Sequence, residues 1–581
     1  LVNCLGAWRF ADSGATRAMT STPRSPLRRR ALMAIAAATA WIGLGSRLQR
    51  TAGSSPGGAL AATPGNDLCA NGSTFDTPLA LPGRDGWMGF YPLVEPVKLG
   101  AQAVADAPTA LAYVIRSGGR EWRNPVLLVE SKAAVRVAFD NALAEPTIVH
   151  WHGLSVDSAN DGNGDRVAAP GARFDYAFAL ANRAGIYWYH PHPHGLTAGQ
   201  AYRGLFAMML VDDDEDRALG KALATTLGST DLPLVLSDRR SDARARYAPT
   251  DADRQSDYLG DEMLVNGTLP AFTDVSTRGY RLRVLNAANA RTLRLAFRGN
   301  DGTLLPFQLL GTDGGLLARP VECREMFLAT AERADLWVDF AGHAIGDSVV
   351  LESLPFDPMH GELHGEMHGT SSAAPADGVA SPALPMQMNH DHGGHAADGS
   401  SMSTIGDGAR LSLLQFRIRE RVHASPKPPA TLSTLPAAPR VDSANPAVPF
   451  RLSWAKSRWR INDHTFDTQD GPIVVPRNTT QTWLLRNYYT SMPHAMHLHG
   501  FSMRVLARET SPDFVKALAV DADGRLPTDL GVKDTLLVWP GESVRVAIDF
   551  TCGFAGPQDY LLHCHNLEHE DGGMMLRVRV V

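Results

Sequence analysis

Short segments that alternate apolar and polar residues recur along the chain, bounded by Gly, Pro, Asp or Asn. Examples are VRVAFDN (135–141), RLRVLNAAN (281–289), ADLWVDF (334–340), TWLLRNY (482–488) and SVRVAIDF (543–550). Each has the period of two expected of a strand with one buried face. Long amphipathic-helix patterns are scarce. Many strands at short spacing predict an all-β chain of sandwiches or barrels. VRVAFDNALAEPTIVHWHG and TWLLRNYYTSMPHAMHLHG share an order of strand, asparagine turn and histidines. RLRVLNAANARTLRLAF has the strand and the asparagines but not the histidines. The pattern predicts three related domains, the middle one without metal ligands.

Two stretches break the alternation. Residues 355–408 are poor in strand signal and rich in Gly, Ala, Ser, His and Met, with Met359, His360, His364, Met367, His368, Met386, Met388, His390, His392, His395 and Met402. Residues 422–448 are rich in Pro, Ala and Ser and read as an inter-domain linker. Between them ARLSLLQFRIRE reads as a strand closing the second domain, which makes the His/Met-rich stretch an insertion in that domain's last hairpin.

The first sixty residues read as an export signal. Met19 is a candidate start. Arg28, Arg29 and Arg30 precede a mildly apolar, alanine-rich run at 31–45, as in a twin-arginine signal. That run is too short and weak to span a bilayer, and no other run of about 18 apolar residues follows. Composition adds exclusions. With 581 residues, several domains are expected. The net charge of −6 is spread over both signs without a basic stripe, which argues against nucleic acid as a partner. Five cysteines (Cys4, Cys69, Cys323, Cys552, Cys564) are too few for a disulfide scaffold, and the odd number leaves a thiol for other work. One bridge among Cys69, Cys323 and Cys552 is open.

Four segments carry His-x-His: His150 and His152, His190 and His192, His497 and His499, His563 and His565. Residues i and i+2 of a strand face one side, so each pair presents two imidazoles together. One pair alone is more often plain structure. Eight imidazoles fit a cluster of metal ions, since imidazole suits copper, zinc, iron or nickel. Cys564 lies between His563 and His565, so its sulfur faces the other way. His569 and Met574 follow it, and His494 precedes the third pair. Two histidines, a thiolate and a weak axial methionine form a blue-copper electron-transfer site. Cys564 would then join an electron-accepting copper to a second metal cluster through its own backbone.

HWHG, WYHPH, HAMHLHG and HCHNLEHEDGGMM resemble the four copper signatures of multicopper oxidases, over roughly residues 85 to 581. The last motif is most similar to the bacterial laccase-like and cuprous-oxidase branch. The resemblance implies three cupredoxin-like Greek-key sandwich or barrel domains at 85–212, 213–420 and 449–581, after an N-terminal extension at 1–60 and with a linker at 421–448. It implies four coppers: a type 1 ion on His494, Cys564, His569 and Met574, a type 2 ion on His150 and His497, and a type 3 pair on His152, His190, His192, His499, His563 and His565. Pro493 precedes His494, whereas the family has a proline just after that histidine; the ligand spacing is kept. His194 lies beyond the ligand pair. Asp161 and Glu570 match the family's acidic residues that deliver protons, the alternative being a structural carboxylate at a turn.

The implied reaction is one-electron oxidation of a reductant coupled to reduction of dioxygen to water, in a periplasmic monomer. Cu(I) and small phenols or amines are both expected reductants. Thioethers select Cu(I), which favours the first if the His/Met stretch binds metal; a low-complexity loop is the plainer reading. Met492 matches the cuprous-oxidase pattern, but Thr490 stands where an aspartate is usual. Alternatives are a copper-sequestering resistance protein and a metal-free scaffold of the same fold; the latter lacks the histidines that this chain keeps.

Overall fold

The structure is a computed structural model that describes residues 75–80, 88–94, 96–105, 107–241, 246–359, 405–441 and 447–581. The proposed export signal, Cys4, Cys69 and most of the His/Met-rich stretch lie outside these residues.

Strands pair into six sheets, two in each of three successive sandwiches. In the first sandwich, one sheet contains Val126–Glu130, Ala207–Asp212, Gly185–Pro191 and Val149–His152, and the other contains Val97–Val104, Ala134–Asn141 and Arg173–Ala179. Inward side chains from both sheets, among them Val137, Phe139, Trp151 and Tyr189, form its core. The third sandwich repeats the plan, with Thr480–Asn487 and Ser543–Asp549 in one sheet and His494–Leu498, Gln558–Cys564 and Met575–Val580 in the other. In the middle sandwich, Ser348–Ser353 and Leu411–Glu420 are antiparallel neighbours, so residues 354–410 connect two adjacent strands.

Two features go beyond the alternation pattern. Strand Gly279–Asn286 was expected to be half-exposed, but every position in it is buried. Its polar face carries Arg281 and Arg283 against helix Asp214–Ala222. Arg283 Nε donates to Asp231 Oδ1 at 2.8 Å, and Arg281 Nη2 donates to Asp216 Oδ1 at 2.6 Å. Residues 421–441, read as a linker, pack in part. Leu432 joins the core of the middle sandwich, Ser433 Oγ donates to Leu316 O at 3.0 Å, and Arg183 Nη2 of the first sandwich donates to Ser433 Oγ at 2.9 Å. The segment is a strap along the first two sandwiches. Cys323 and Cys552 are free thiols, so no bridge joins them. Among the described residues, no helix is long and apolar enough to cross a membrane.

Candidate metal centres

Strand register brings the histidines together. His190 is the antiparallel partner of His150, and His497 is the partner of His563, with Met496 opposite Cys564. His192, His499 and His565 follow just past the strand ends. All eight imidazoles are at most 1% exposed. Four come from the first sandwich and four from the third.

The ring nitrogens sort into groups. His190 Nε2 lies 3.3 Å from His152 Nδ1 and 3.4 Å from His565 Nε2. His563 Nε2 lies 3.0 Å from His499 Nε2 and 3.4 Å from His192 Nε2. Two nitrogens each about 2.0 Å from one metal at a tetrahedral angle are about 3.3 Å apart. His192, His499 and His563 therefore have the spacing of a three-nitrogen metal site, and His190 is within that spacing of both His152 and His565, with His150 also close to His152 and His190. The other two rings, His150 and His497, lie 5.8 Å apart between centroids, and the Nε2 of each is buried without a hydrogen-bond partner. An unmet buried polar atom costs about 1–3 kcal/mol. Two such lone pairs beside six other imidazoles fit a metal ion.

Backbone carbonyls, which can only accept, decide which nitrogen carries the proton. His150 Nδ1 donates to Asp161 O and His497 Nδ1 to Asp534 O, both at 2.8 Å. His190 Nδ1 donates to Pro191 O at 2.9 Å, and His563 Nδ1 to Cys564 O at 3.1 Å. Each bond leaves an Nε2 lone pair for a ligand role. Burial holds most of these rings below the usual histidine range, His192 down to about 3, so they are neutral and able to bind metal near pH 7.

Cys564 opens the second centre, because alternation turns its sulfur away from His563 and His565. Its Sγ lies 3.5 Å from both His494 Nδ1 and His569 Nδ1, which are themselves 3.2 Å apart. Burial pushes the thiol up, so it is protonated without a cation; a metal ion held there would displace that proton. Met574 is fully buried, and its carbonyl accepts from Cys564 N at 3.0 Å. Met575 begins the next strand as core. Trp459 lies against His569 with centroids 3.8 Å apart. On its outer edge, His569 Nε2 donates to Ser256 O at 3.0 Å and lies 3.3 Å from Asp257 Oδ1, so the middle sandwich covers this ligand.

One short helix, Leu567–Asp571, links both centres to all three sandwiches. His569 belongs to the sulfur centre. Glu570 Oε2 lies 3.2 Å from His563 Nδ1, and Oε1 lies 3.6 Å from His192 Nε2. Glu568 Oε1 accepts from Asn289 Nδ2 at 2.8 Å in the middle sandwich. The Asp571 carboxylate accepts from Thr197 N at 3.1 Å and Ala198 N at 3.0 Å in the first. Burial opposes ionisation of Glu570, but the imidazoles of His192 and His563 override it and hold the carboxyl below its usual range. Asp161 accepts from His499 Nδ1 at 2.8 Å, and burial, with Asp157 nearby, pushes its carboxyl up.

All the histidines expected from the sequence, with Cys564, fall into these two centres. His194 does not; its Nε2 lies 3.4 Å from Asp165 Oδ1. Sequence reasoning missed Asp534, Arg333, Asp257 and Trp459. Asp534 had a usable signal: Lys533 and Asp534 interrupt the apolar run of GVKDTLLV.

Two family models described as multicopper oxidase match residues 114–216 and 434–581. A laccase of Haloferax volcanii is 29% identical over 448 residues, covering 74% of this chain and 66% of the laccase. A bilirubin oxidase of Albifimbria verrucaria is 28% identical over 461 residues, covering 78% of this chain and 70% of that enzyme. The crystal structure of the McoA multicopper oxidase from Aquifex aeolicus aligns with a TM-score of 0.70 at 28% identity, covering 87% of this chain and 99% of McoA. The family models fall on the two segments that supply the metal-binding side chains, and the ten imidazoles and one thiolate suit copper. The chain carries multicopper oxidase domains at both of these segments and is similar to laccases and multicopper oxidases along most of its length.

Proposed function

We propose that this protein couples one-electron oxidation of a small reductant near Cys564 to reduction of dioxygen at the histidine cluster. Bound copper would supply single-electron acceptance at the outer site and four-electron reduction of dioxygen to two waters at the inner one. In this reading His494, Cys564, His569 and Met574 hold the type 1 ion, and His150 and His497 the type 2 ion. His152, His190 and His565 hold one type 3 ion; His192, His499 and His563 hold the other. The carrying observation is that Cys564 points its sulfur at one centre while His563 and His565 enter the other. A few covalent bonds thus join the two.

Glu570 and Asp161 act as proton carriers. Each carboxylate is buried and touches imidazoles of the inner cluster: Glu570 at His563 and His192, Asp161 at His499. The three sandwiches correspond to 85–212, 213–420 and 449–581. The inner site takes half of its imidazoles from each end of the chain, which supports a self-sufficient monomer.

The cover over His569 favours a small reductant. Ser256 and Asp257 lie against its outer nitrogen, where a phenol would have to approach. We assign Cu(I) as the preferred reductant, with phenols and amines slower. The His/Met-rich stretch at 355–408 supplies donors that suit cuprous ion. Arg28–Arg30 and the alanine-rich run after them support export by the twin-arginine route to the periplasm.

The test is to load the purified protein with copper and compare its oxidation of Cu(I) with that of a bulky phenol, in the full chain, in a deletion of 358–404 and in Asp257→Ala. The expected result is four coppers per chain, a blue band, faster Cu(I) oxidation, and a gain in phenol oxidation on uncovering His569. Copper binding without oxygen uptake means sequestration instead, and no colour after loading means a scaffold.

A further inference from the structure

Among the described residues, the middle sandwich lends no histidine to either centre, yet one of its arginines lies at the junction of all three sandwiches. Arg333 is fully buried. Its Nε donates to Ile186 O of the first sandwich at 2.9 Å. Its Nη1 donates to Asp534 Oδ1 of the third at 2.7 Å, and its Nη2 pairs with Asp534 Oδ2. Asp534 in turn touches two imidazoles of the inner cluster. Its carbonyl accepts from His497 Nδ1 at 2.8 Å, and its carboxylate lies 3.1 Å from His152 Nε2.

These two bonds have opposite consequences for the two rings. A carbonyl oxygen can only accept, so His497 carries its proton on Nδ1 and turns an Nε2 lone pair inward. A carboxylate paired to Arg333 accepts from His152 Nε2, which leaves the free lone pair on Nδ1, and Nδ1 is the atom 3.3 Å from His190 Nε2. His152 therefore faces its triad through a different nitrogen from its neighbours. We propose that Asp534 is a positioning residue that selects the metal-facing nitrogen of both His152 and His497, and that Arg333 holds it in place from the middle sandwich. This rests on the reading that both histidines are copper ligands.

Two further contacts support a built clamp. Thr535 Oγ1 donates to Asp534 Oδ1 at 2.9 Å, while Asp313, ion-paired with Lys533 at 2.9 Å, accepts from Asp534 N and Thr535 N at 3.3 Å. Gly153, the glycine of HWHG, sits at φ 83°, and a Cβ there would lie 2.5 Å from Asp534 Oδ2 and 2.9 Å from Arg333 Nη2. The ligand loop thus presses its bare backbone onto the ion pair, and any side chain would displace it.

The experiment uses the copper-loaded full chain and the variants Asp534→Asn, Arg333→Lys and Thr535→Val, with Glu332→Gln as control. Glu332 pairs with Lys533 at 2.9 Å in the same buried cluster. Copper per chain, the blue band, the type 2 paramagnetic resonance signal and competition with a chelator are measured. Removing a group that orients a metal ligand typically costs 10–100-fold in metal affinity. The expected result is an intact blue band in the first two variants, with copper of the inner cluster, where the Asp534 carboxylate meets His152, lost at chelator concentrations about 10–100-fold lower than in the parent. Thr535→Val should show a smaller shift and Glu332→Gln none; if Arg333→Lys does not fold, the near-isosteric Asp534→Asn and Thr535→Val decide. Unchanged retention of the inner-cluster copper overturns the proposal, as does loss of the blue band along with it, or an equal loss in the control. If the parent itself shows a blue band but no type 2 signal, the ligand assignment for His150 and His497 fails first.

Discussion

Glu570→Gln is the substitution that most directly probes proton supply. Glutamine keeps the shape and helix position of the side chain but cannot carry a proton as a carboxylic acid. Glu570 is 1% exposed, with one oxygen 3.2 Å from His563 Nδ1 and the other 3.6 Å from His192 Nε2, so no bulk water replaces it at close range. A positioned acid or base contributes typically 10²–10⁴-fold. The lower figure corresponds to about 2.7 kcal/mol on the barrier. The Cys564 centre should be untouched, because Glu570 points to the other side of helix Leu567–Asp571. The assay is a two-part stopped-flow measurement: anaerobic bleaching of the blue band by reductant, then its return on mixing with dioxygen. Bleaching should keep its parental rate, while oxygen-dependent turnover slows by about 100-fold. Turnover within about twofold of the parent, at equal copper content, refutes the proton role, since the smallest effect expected is about 100-fold. Slowed bleaching would place the defect at electron uptake instead.

Three other outcomes are expected. Cys564→Ser should abolish the blue band and leave about three coppers per chain by metal analysis, because a hydroxyl is a poor substitute for a thiolate donor to copper; a retained band contradicts the wiring through residue 564. Asp231→Ala strips Arg283 of a partner that meets both its Nε and its Nη2 at 2.8 Å in a buried site, and should destabilise by about 3–5 kcal/mol in urea unfolding; a loss under about 1 kcal/mol would mean water reaches the pair. The copper-free protein should be acid-labile. Burial lowers His192 and His569 to about 3, well under the value of about 6.5 for an exposed histidine. Between those values the unfolded chain binds more protons, so stability is full above pH ~6.5 and falls by up to about 1.4 kcal/mol per pH unit per ring as pH drops. Denaturant titrations at pH 7 and 5 check this; equal midpoints refute it.

Much of the site was legible because strand geometry is simple. A period of two puts His150 with His152 and His563 with His565 on one face and turns Cys564 to the other, so neighbours in sequence could be assigned to two centres. The all-β class followed from the same alternation. Strand Gly279–Asn286 shows the limit. Its Arg-x-Arg alternation reads as a solvent face, but helix Asp214–Ala222 and its aspartates cover it. Alternation reports the polarity of a face, not what packs on it.

The chain alone determined which residues can bind metal and how each short motif presents them, because those are local consequences of backbone period and side-chain chemistry. Only the tertiary structure decided which nitrogens meet. The triad of His192, His499 and His563 spans 371 residues between its first and last members, and the strand register that aligns them depends on packing two sandwiches together. Likewise, Asp257 over His569 and Arg333 behind Asp534 come from a domain without ligand motifs. Their roles arise from contacts between distant segments, and hydrophobic patterning within any one segment carries no record of such contacts.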